Sequence, residues 1–452
     1  MAKAGDRTIT TPLSGNHSAL ETATDKTGTG SEAVQKANVS DEELLGLIQK
    51  QTVKYFWDWA HSPTGMALDW AGAQHISPNN VLAVGGTGFG VMAIIVAVER
   101  GWIPRAEAVD RLLGMLCFLG TAESYNGVYP HFLDPGGKEI SGWADNAGGD
   151  LVETSYLIAG FLCARQYFQS RTAKEAELRH RINVLWRNVN WNWHTLGSDV
   201  LFWHWSPTHQ RGPHQRIEGW NECLITYVLA ASSPTFPIRP GVYHEGWAKG
   251  DNFINGNSYY DLRLPLGPRF GGPLFFAHFS FLGLDPRGLK DRYADYWQQN
   301  LHHTLINYEH CVRNPNGFRG YGSDCWGLTA SDGDAGYFAH DPGNDRGVIA
   351  PTAALSSFPY TPAQSIRALR NFTFGLGSRI WADCGFVDAF NPTTGWRSTK
   401  HLAINQGPIV VMIENYRSGL LWRLFMSCRE IRHGLRILGF ERVPAEQRGE
   451  MH

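Results

Sequence analysis

Residues 145–166 read Asp-Asn-Ala-Gly-Gly-Asp-Leu-Val-Glu-Thr-Ser-Tyr-Leu-Ile-Ala-Gly-Phe-Leu-Cys-Ala-Arg-Gln, a glycine-rich loop that runs directly into an apolar helix. The same alternation of Gly/Pro/Asn-rich loop and apolar helical run recurs along the chain. It begins at Ser40, a helix N-cap followed by Asp41, Glu42 and Glu43, where negative charge suits the helix dipole. Further helices are predicted over Gly88–Arg100, Arg105–Ser124, Leu151–Gln166, Ala173–Asn190, Glu222–Ala231, Pro273–Leu282, Leu289–Val312, Thr352–Phe358, Pro362–Leu376, Pro408–Tyr416 and Gly419–Leu438. Long runs of strand-like alternation are scarce. Short ones at Gly127–Leu133, Val200–Trp205 and His401–Ile404 read as small hairpins in connecting loops.

About a dozen helices, with no domain-sized linker and no solenoid repeat, predict paired helices closed into a ring. The expected fold is therefore all-α, an (α/α)6 barrel with short β-hairpins in its loops; an irregular helical bundle is the alternative. The expected organisation is a disordered tail over 1–38, one catalytic domain over 39–442 and a short C-terminal tail over 443–452. The first 38 residues are rich in Thr, Ser, Gly and Ala and hold no aromatic residue.

Of the 452 residues 18% are charged, below the roughly 25% of an average soluble domain, which fits a large body with a high buried share. A formal charge of -2 removes the basic excess that a nucleic acid or an anionic membrane would demand. The 7 cysteines are widely spaced and form no C-x-x-C, which argues against a disulfide framework or a zinc site. No apolar stretch reaches the length of a membrane span, and the N-terminal segment lacks the apolar core of a signal peptide. The sequence as it stands reads as cytoplasmic, and as periplasmic or secreted if its start is incomplete.

Carboxylates at helix starts are the candidate chemistry. Asp150 and Glu153 are three apart, so both project from one face of a first turn. Such a pair can share a site and push one pKa up; Asp-x-x-Glu before an apolar run is equally the pattern of a capping box. Glu222 follows Trp220 and Asn221 and opens another apolar helix. It reads either as an acid that stabilises the dipole or as a carboxyl desolvated enough to act as a general acid. Asp324, Asp332 and Asp334 lie in a polar loop with Tyr321 and Trp326, where turn formation and ligand binding both account for them.

The 17 Trp, 16 Tyr and 23 Phe stand out, and many cluster near polar loops: Trp203, Trp205, Trp220, Tyr259, Tyr260, Phe275, Phe276, Tyr321, Trp326 and Trp396. Flat apolar faces with polar edges suit a saccharide groove. Gly85-Gly86-Thr87-Gly88-Phe89-Gly90 lacks both the GxGxxG spacing and a Walker lysine, and reads as close helix packing. Neither H-E-x-x-H nor G-x-S-x-G occurs.

Seven blocks, in order, resemble the glycoamylase-like domain of glycoside hydrolase family 144, the β-1,2-glucanases: GGTGFGVMAIIVAVERGWI, GGDLVETSYLIAGFLCARQYF, WNECLITYVLAASSPT, GGPLFFAHFSFLGLDPRGLKDRYADYW, DCWGLTASDG, IAPTAALSSFPYTP and QGPIVVMIENYRSGLLW. The chain is also similar to the transglycosylase domain of cyclic β-1,2-glucan synthases. The resemblance implies an (α/α)6 barrel that binds β-1,2-linked glucose chains, with Asp150, Glu153 and Glu222 at the positions implicated in catalysis and no metal or organic cofactor. Substrate-binding candidates are Trp205, Trp220, Asn221, Tyr321, Asp324, Trp326, Asn405 and Gln406. The block around Asn405 often carries Asp in the family, and an amide cannot act as a base. Hydrolysis of β-1,2-glucan is thus the expected activity. Transglycosylation, or glucan binding without turnover, are the alternatives that Asn405 raises.

Overall fold

The computed structural model describes residues 39–73, 80–140, 148–207 and 215–443. The tails expected over 1–38 and 443–452 lie outside these residues, apart from Val443. From Asp41 onward the chain gathers into one unit.

The described residues contain twelve α-helices: α1 (Asp41–Trp57), α2 (Val84–Glu99), α3 (Arg105–Leu119), α4 (Leu151–Tyr167), α5 (Ala173–Asn188), α6 (Leu224–Ser232), α7 (Tyr296–Arg313), α8 (Pro351–Leu355), α9 (Pro362–Arg370), α10 (Ala403–Arg417), α11 (Leu420–Ser427) and α12 (Arg429–Ile437). They fall into two kinds. Helices α2, α4, α6 and α10 are apolar around most of their circumference and buried along almost their whole length. By contrast, α3 and α5 bury one stripe, Leu112 and Met115 in the first, Leu178, Ile182 and Trp186 in the second. An all-round apolar helix must be enclosed by others, whereas a striped one covers the outside. The contacts follow this division: α2 packs on α4 and on α10, α4 on α6, and α3 on α5.

The α2–α4 crossing depends on glycine. A Cβ on Gly88 would sit 2.2 Å from the Tyr156 carbonyl oxygen, and one on Gly160 would sit 2.2 Å from that of Gly88. The two backbones touch where no side chain intervenes, as the glycine-rich run predicted. At the far end of α2, Arg100 holds Glu414 of α10 through Nε and Nη2, both at 2.9 Å.

Short hairpins do form in connecting loops, at 258–263, 330–339, 381–386 and 390–397, but the three segments expected to form them pair at long range. Leu82–Ala83 pairs with Phe132–Leu133, Gly149–Asp150 with His204–Trp205, and Trp70–Gly72 with Lys400–Leu402. Each ladder joins segments distant in sequence, and each has one strand that leads straight into α2, α4 or α10. The ladders therefore fix the N-terminal ends of three inner helices.

Three helix expectations also change. Pro273–Leu282 forms 3-10 turns at Leu274–Ala277 and Ser280–Leu282, preceded by Gly271 and Gly272 at positive φ. Helix α7 begins only at Tyr296, where Asp295 accepts from the N–H groups of Trp297 and Gln298, and Leu289–Lys290 instead pairs with Glu441–Arg442. The run Gly419–Leu438 divides at Cys428, which is extended. No helix among the described residues is long and apolar enough to cross a membrane.

Candidate active site

A cavity of about 410 Å³ opens where the first turns of α2, α4 and α10 meet, and Gly86, Val152, Glu153, Ile404 and Asn405 line it. This placement is a consequence of the ladders, which deliver the three helix starts to one place. Helix N-termini present unsatisfied N–H groups, so the region favours negative charge.

Asp150 ends its strand and caps α4. Its Oδ1 accepts from the N–H groups of Val152 and Glu153, both at 2.9 Å. Its Oδ2 faces His131 Nδ1 at 2.8 Å and His204 Nε2 at 3.1 Å. With all four partners in place Asp150 is 0% exposed. Burial alone would raise its pKa, but the two imidazoles outweigh it and hold the carboxyl well below the usual carboxylate range. Burial likewise opposes charge on His131, yet Glu153 and Asp150 push it up to about 9.

Glu153 does not complete a capping box. Its Oε2 crosses to α2 and accepts from the Gly85 N–H at 2.8 Å, while its Oε1 lies 3.9 Å from His131 Nε2. Gly85 has to be glycine for this, since a Cβ there would lie 2.3 Å from Oε2. Burial raises Glu153 to about 7 against the pull of His131, with Asp150 adding to the rise. Glu222 lies just ahead of α6 and lines the same cavity. Burial lifts it to about 7 as well, and the charges of Glu153 and Asp150 contribute. The lining of the cavity thus holds two carboxyls able to carry a proton near neutral pH. This is the property that acid–base chemistry requires.

The same effect of burial governs a second group. Asp388 is 2% exposed and accepts from Asn405 Nδ2 at 2.7 Å and from the Asp332 N–H at 2.8 Å. Burial raises it to about 7 despite the Asn405 bond, and Asp332 raises it further. Asn405 also donates to the Ala330 carbonyl at 3.1 Å. Asp332, which lines the cavity, accepts from Ser398 Oγ at 2.8 Å. Asp69 and Lys400 line it too, and burial lifts Asp69 to about 6 against the pull of His131 and Lys400. The aromatic surface comes from Trp70, Tyr156, Trp203, Phe275, Phe279 and Tyr337.

Glu153, Glu222, Asn405, Asp332, Trp203 and Phe275 are therefore brought together, with Asp150 directly behind Glu153. The other candidates are not. Trp220 is 2% exposed and stacks among Trp247, Phe281 and Tyr296. Trp326 is 0% exposed, with Tyr308 nearly perpendicular to it at 5.4 Å and Nε1 directed to the Gln364 carbonyl. Asn221 caps its turn through the Cys223 N–H. Tyr321 donates to Asp345, and the Asp324 carbonyl accepts from Asn371. Trp205 packs edge-on against Tyr125 and Trp193. Gln406 is buried and donates to the Phe386 carbonyl. Each of these seven serves packing or turn geometry outside the cavity lining. The residues missing from the expected site, His131, Asp69, Trp70, Lys400 and Asp388, share one trait: they lie on or beside the ladder strands or in the loops those strands bring in. Proximity to a short strand just upstream of a buried helix was the available signal. Among the described residues no cluster of His, Cys, Asp and Glu is arranged to hold a metal ion.

The Glycoamylase family model matches residues 214–429. An exo β-1,2-glucooligosaccharide sophorohydrolase (non-reducing end) of Parabacteroides distasonis is 43% identical over 421 residues, which is 88% of this chain and 58% of that protein. The chain thus spans less than two thirds of that relative. An endo-β-1,2-glucanase of Chitinophaga pinensis, solved with sophorotriose and glucose, is 47% identical with a TM-score of 0.87, covering 89% of this chain and 99% of the other. A β-1,2-glucanase structure from Parabacteroides distasonis is 42% identical with a TM-score of 0.84, covering 89% and 60%.

Proposed function

The chain belongs to the glycoamylase-like family of β-1,2-glucanases, glycoside hydrolase family 144, and on that premise we propose that it hydrolyses β-1,2-glucan to short β-1,2-glucooligosaccharides. In this reading α2, α4, α6, α8 and α10, together with the 3-10 turns near Phe275, form the inner ring of a single (α/α)6 domain. The observation that carries the proposal is that Glu153 and Glu222 line one aromatic-walled cavity, each lifted to about 7.

Glu222 donates the proton to the departing glycosidic oxygen. A carboxyl at an ordinary pKa would already be ionised near neutral pH, so the burial of Glu222 keeps the acid form available. Glu153 takes the proton of the attacking water. The Gly85 N–H fixes one of its oxygens and leaves the other toward His131 and the cavity. Asp150 acts as a positioning residue: saturated by four donors, it orients His131 and the first turn of α4 and does not itself meet substrate. Trp70, Trp203 and Phe275 offer faces for glucose rings. Asn405 contributes an amide donor that is already committed to Asp388.

Incubation of wild type and Glu222→Gln with linear β-1,2-glucan tests the assignment. Short oligosaccharides from wild type and a loss of about 10²-fold or more in the variant are expected. Equal product formation by the two proteins would remove Glu222 from the chemistry, and products longer than the substrate would make the enzyme a transglycosylase.

A further inference from the structure

A second cavity, of about 590 Å³, lies beside the first and shares Trp70 and Lys400 with it. The partition between them is the ladder Trp70–Gly72/Lys400–Leu402, in which Trp70 faces Leu402 and Gly72 faces Lys400. At the seam the Lys400 ammonium sits over the Trp70 ring at 4.8 Å from its centroid. The remaining wall carries Trp381, Asp383, Arg397 and Thr399.

Three features distinguish this wall from an ordinary surface dent. Trp381 is half-buried, and its ring is held by an edge contact with Phe386 at 5.1 Å and 87°. Among the described residues, the exposed Arg397 is anchored through Nη1, to the carbonyls of Ser378 at 3.2 Å and Arg379 at 2.9 Å. No acceptor among the described residues meets its Nε or Nη2. Finally, two indoles, two cations and a carboxylate surround one concavity that shares Trp70 and Lys400 with a cavity carrying acid–base groups. Fixed aromatic faces rimmed by donors and acceptors are what a pyranose ring requires, since its C–H face is apolar and its edge is hydroxylated.

We infer that this second cavity is a further sugar-binding subsite, which holds glucosyl units of the same β-1,2-glucan chain beyond those in the catalytic cavity. Trp381 provides a stacking face, Arg397 and Asp383 take hydroxyl groups, and the Trp70–Lys400 pair marks the crossing from one cavity to the other. The inference rests on the proposed glucanase reading and adds to it a preference for chains long enough to occupy both cavities.

The test compares a long linear β-1,2-glucan with the shortest oligosaccharide that binds, using wild type, Trp381→Ala, Arg397→Ala and, as a control outside both cavity linings, Trp193→Ala. Affinity is read by calorimetry in a Glu222→Gln background, so that binding is measured whether or not the protein turns over glucan. Trp381→Ala is expected to weaken binding of the long chain about tenfold, the scale of one aromatic stacking contact. The loss on the short oligosaccharide is expected to be several-fold smaller. Arg397→Ala should follow the same pattern and Trp193→Ala should show neither loss. Equal losses on both lengths, or no loss on the long chain in either variant, overturn the subsite. Failure of the wild type to release sugars while the length-dependent binding loss persists would overturn the hydrolytic reading and leave the subsite standing.

Discussion

Two buried aspartates, each bonded to a residue of the cavity lining, show how differently one side chain can be treated. Asp150 and Asp388 are both almost inaccessible, at 0% and 2% exposure, and both accept backbone N–H bonds. Asp150 adds two histidines, and its carboxyl is held far below its ordinary range. Asp388 adds only the neutral amide of Asn405, with the Asp332 carboxylate nearby, and rises to about 7. The two environments are equally dry, so the partners decide the outcome. Around Asp150 the site stores a fixed negative charge, which keeps His131 protonated. Around Asp388 it stores a proton.

The comparison is sharpened first by removing the groups that work between the two. Glu153→Gln and Glu222→Gln should each lower kcat/KM by roughly 10²- to 10⁴-fold, the worth of one acid or base. Their residual pH profiles should differ in kind. With both carboxyls near 7 the wild-type profile is a narrow bell centred near neutrality. Losing the base erases its acid limb and losing the acid erases its alkaline limb. A residual profile that keeps both limbs in either variant would reassign that residue.

Next comes the charge store itself. Asp150→Asn keeps the size of the side chain but presents an N–H₂ group where His131 or His204 is now met. We expect a loss of about 3 kcal/mol in stability, because a buried ionic arrangement loses one member and the cap of α4 is weakened. Without Asp150 the support for protonated His131 falls, so its titration should move down from about 9 toward the ordinary histidine range. NMR titration of the His131 ring measures this; an unmoved midpoint would show that Glu153 alone sustains the charge.

How far the sequence reveals these arrangements depends on the range of the interactions. Helices α4 and α6 and the close helix packing at Gly88 were legible, because local patterning and the glycine-rich run carry them directly, whereas the partner Gly160 was not. Glu153 and Glu222 were legible as acids at the starts of apolar helices. Their meeting with Asp69, Asp332, Asp388 and Lys400 was not, because two- and three-residue ladders join segments with no local signature. Trp220 and Trp326 were misread for a related reason. An indole beside a polar loop has the same sequence context whether it faces a groove or closes a core, and here Tyr296 and Tyr308 cover them. The division of Gly419–Leu438 at Cys428 was hidden as well, since no Pro or Gly marks it.

The smallest expected effect is also the one that tests the comparison most directly. Asn405→Asp replaces the neutral amide against Asp388 with a second carboxyl, at a separation now spanned by a 2.7 Å bond. Two carboxyls that close cannot both ionise cheaply, so they share one proton, and the second ionisation moves above the value of about 7 that Asp388 has with its amide partner. The sign follows from linkage. A carboxyl whose folded pKa lies above its unfolded value contributes stability that is fully present below the unfolded pKa and is lost as pH rises through the folded one. For Asp388 that loss runs from about pH 4 to about pH 7. The variant adds a second group with the same sign and a higher folded midpoint. At pH 5 the shared proton replaces the amide bond, and the stability of the variant should lie within about 1 kcal/mol of wild type. By pH 9 the deficit should reach roughly 2 to 3 kcal/mol as the dyad is forced to ionise. Denaturant unfolding of the two proteins across this range gives the difference directly. Parallel stability curves would mean that the pocket opens to water when Asp388 ionises, and that its dryness, unlike that around Asp150, is not enforced by the fold.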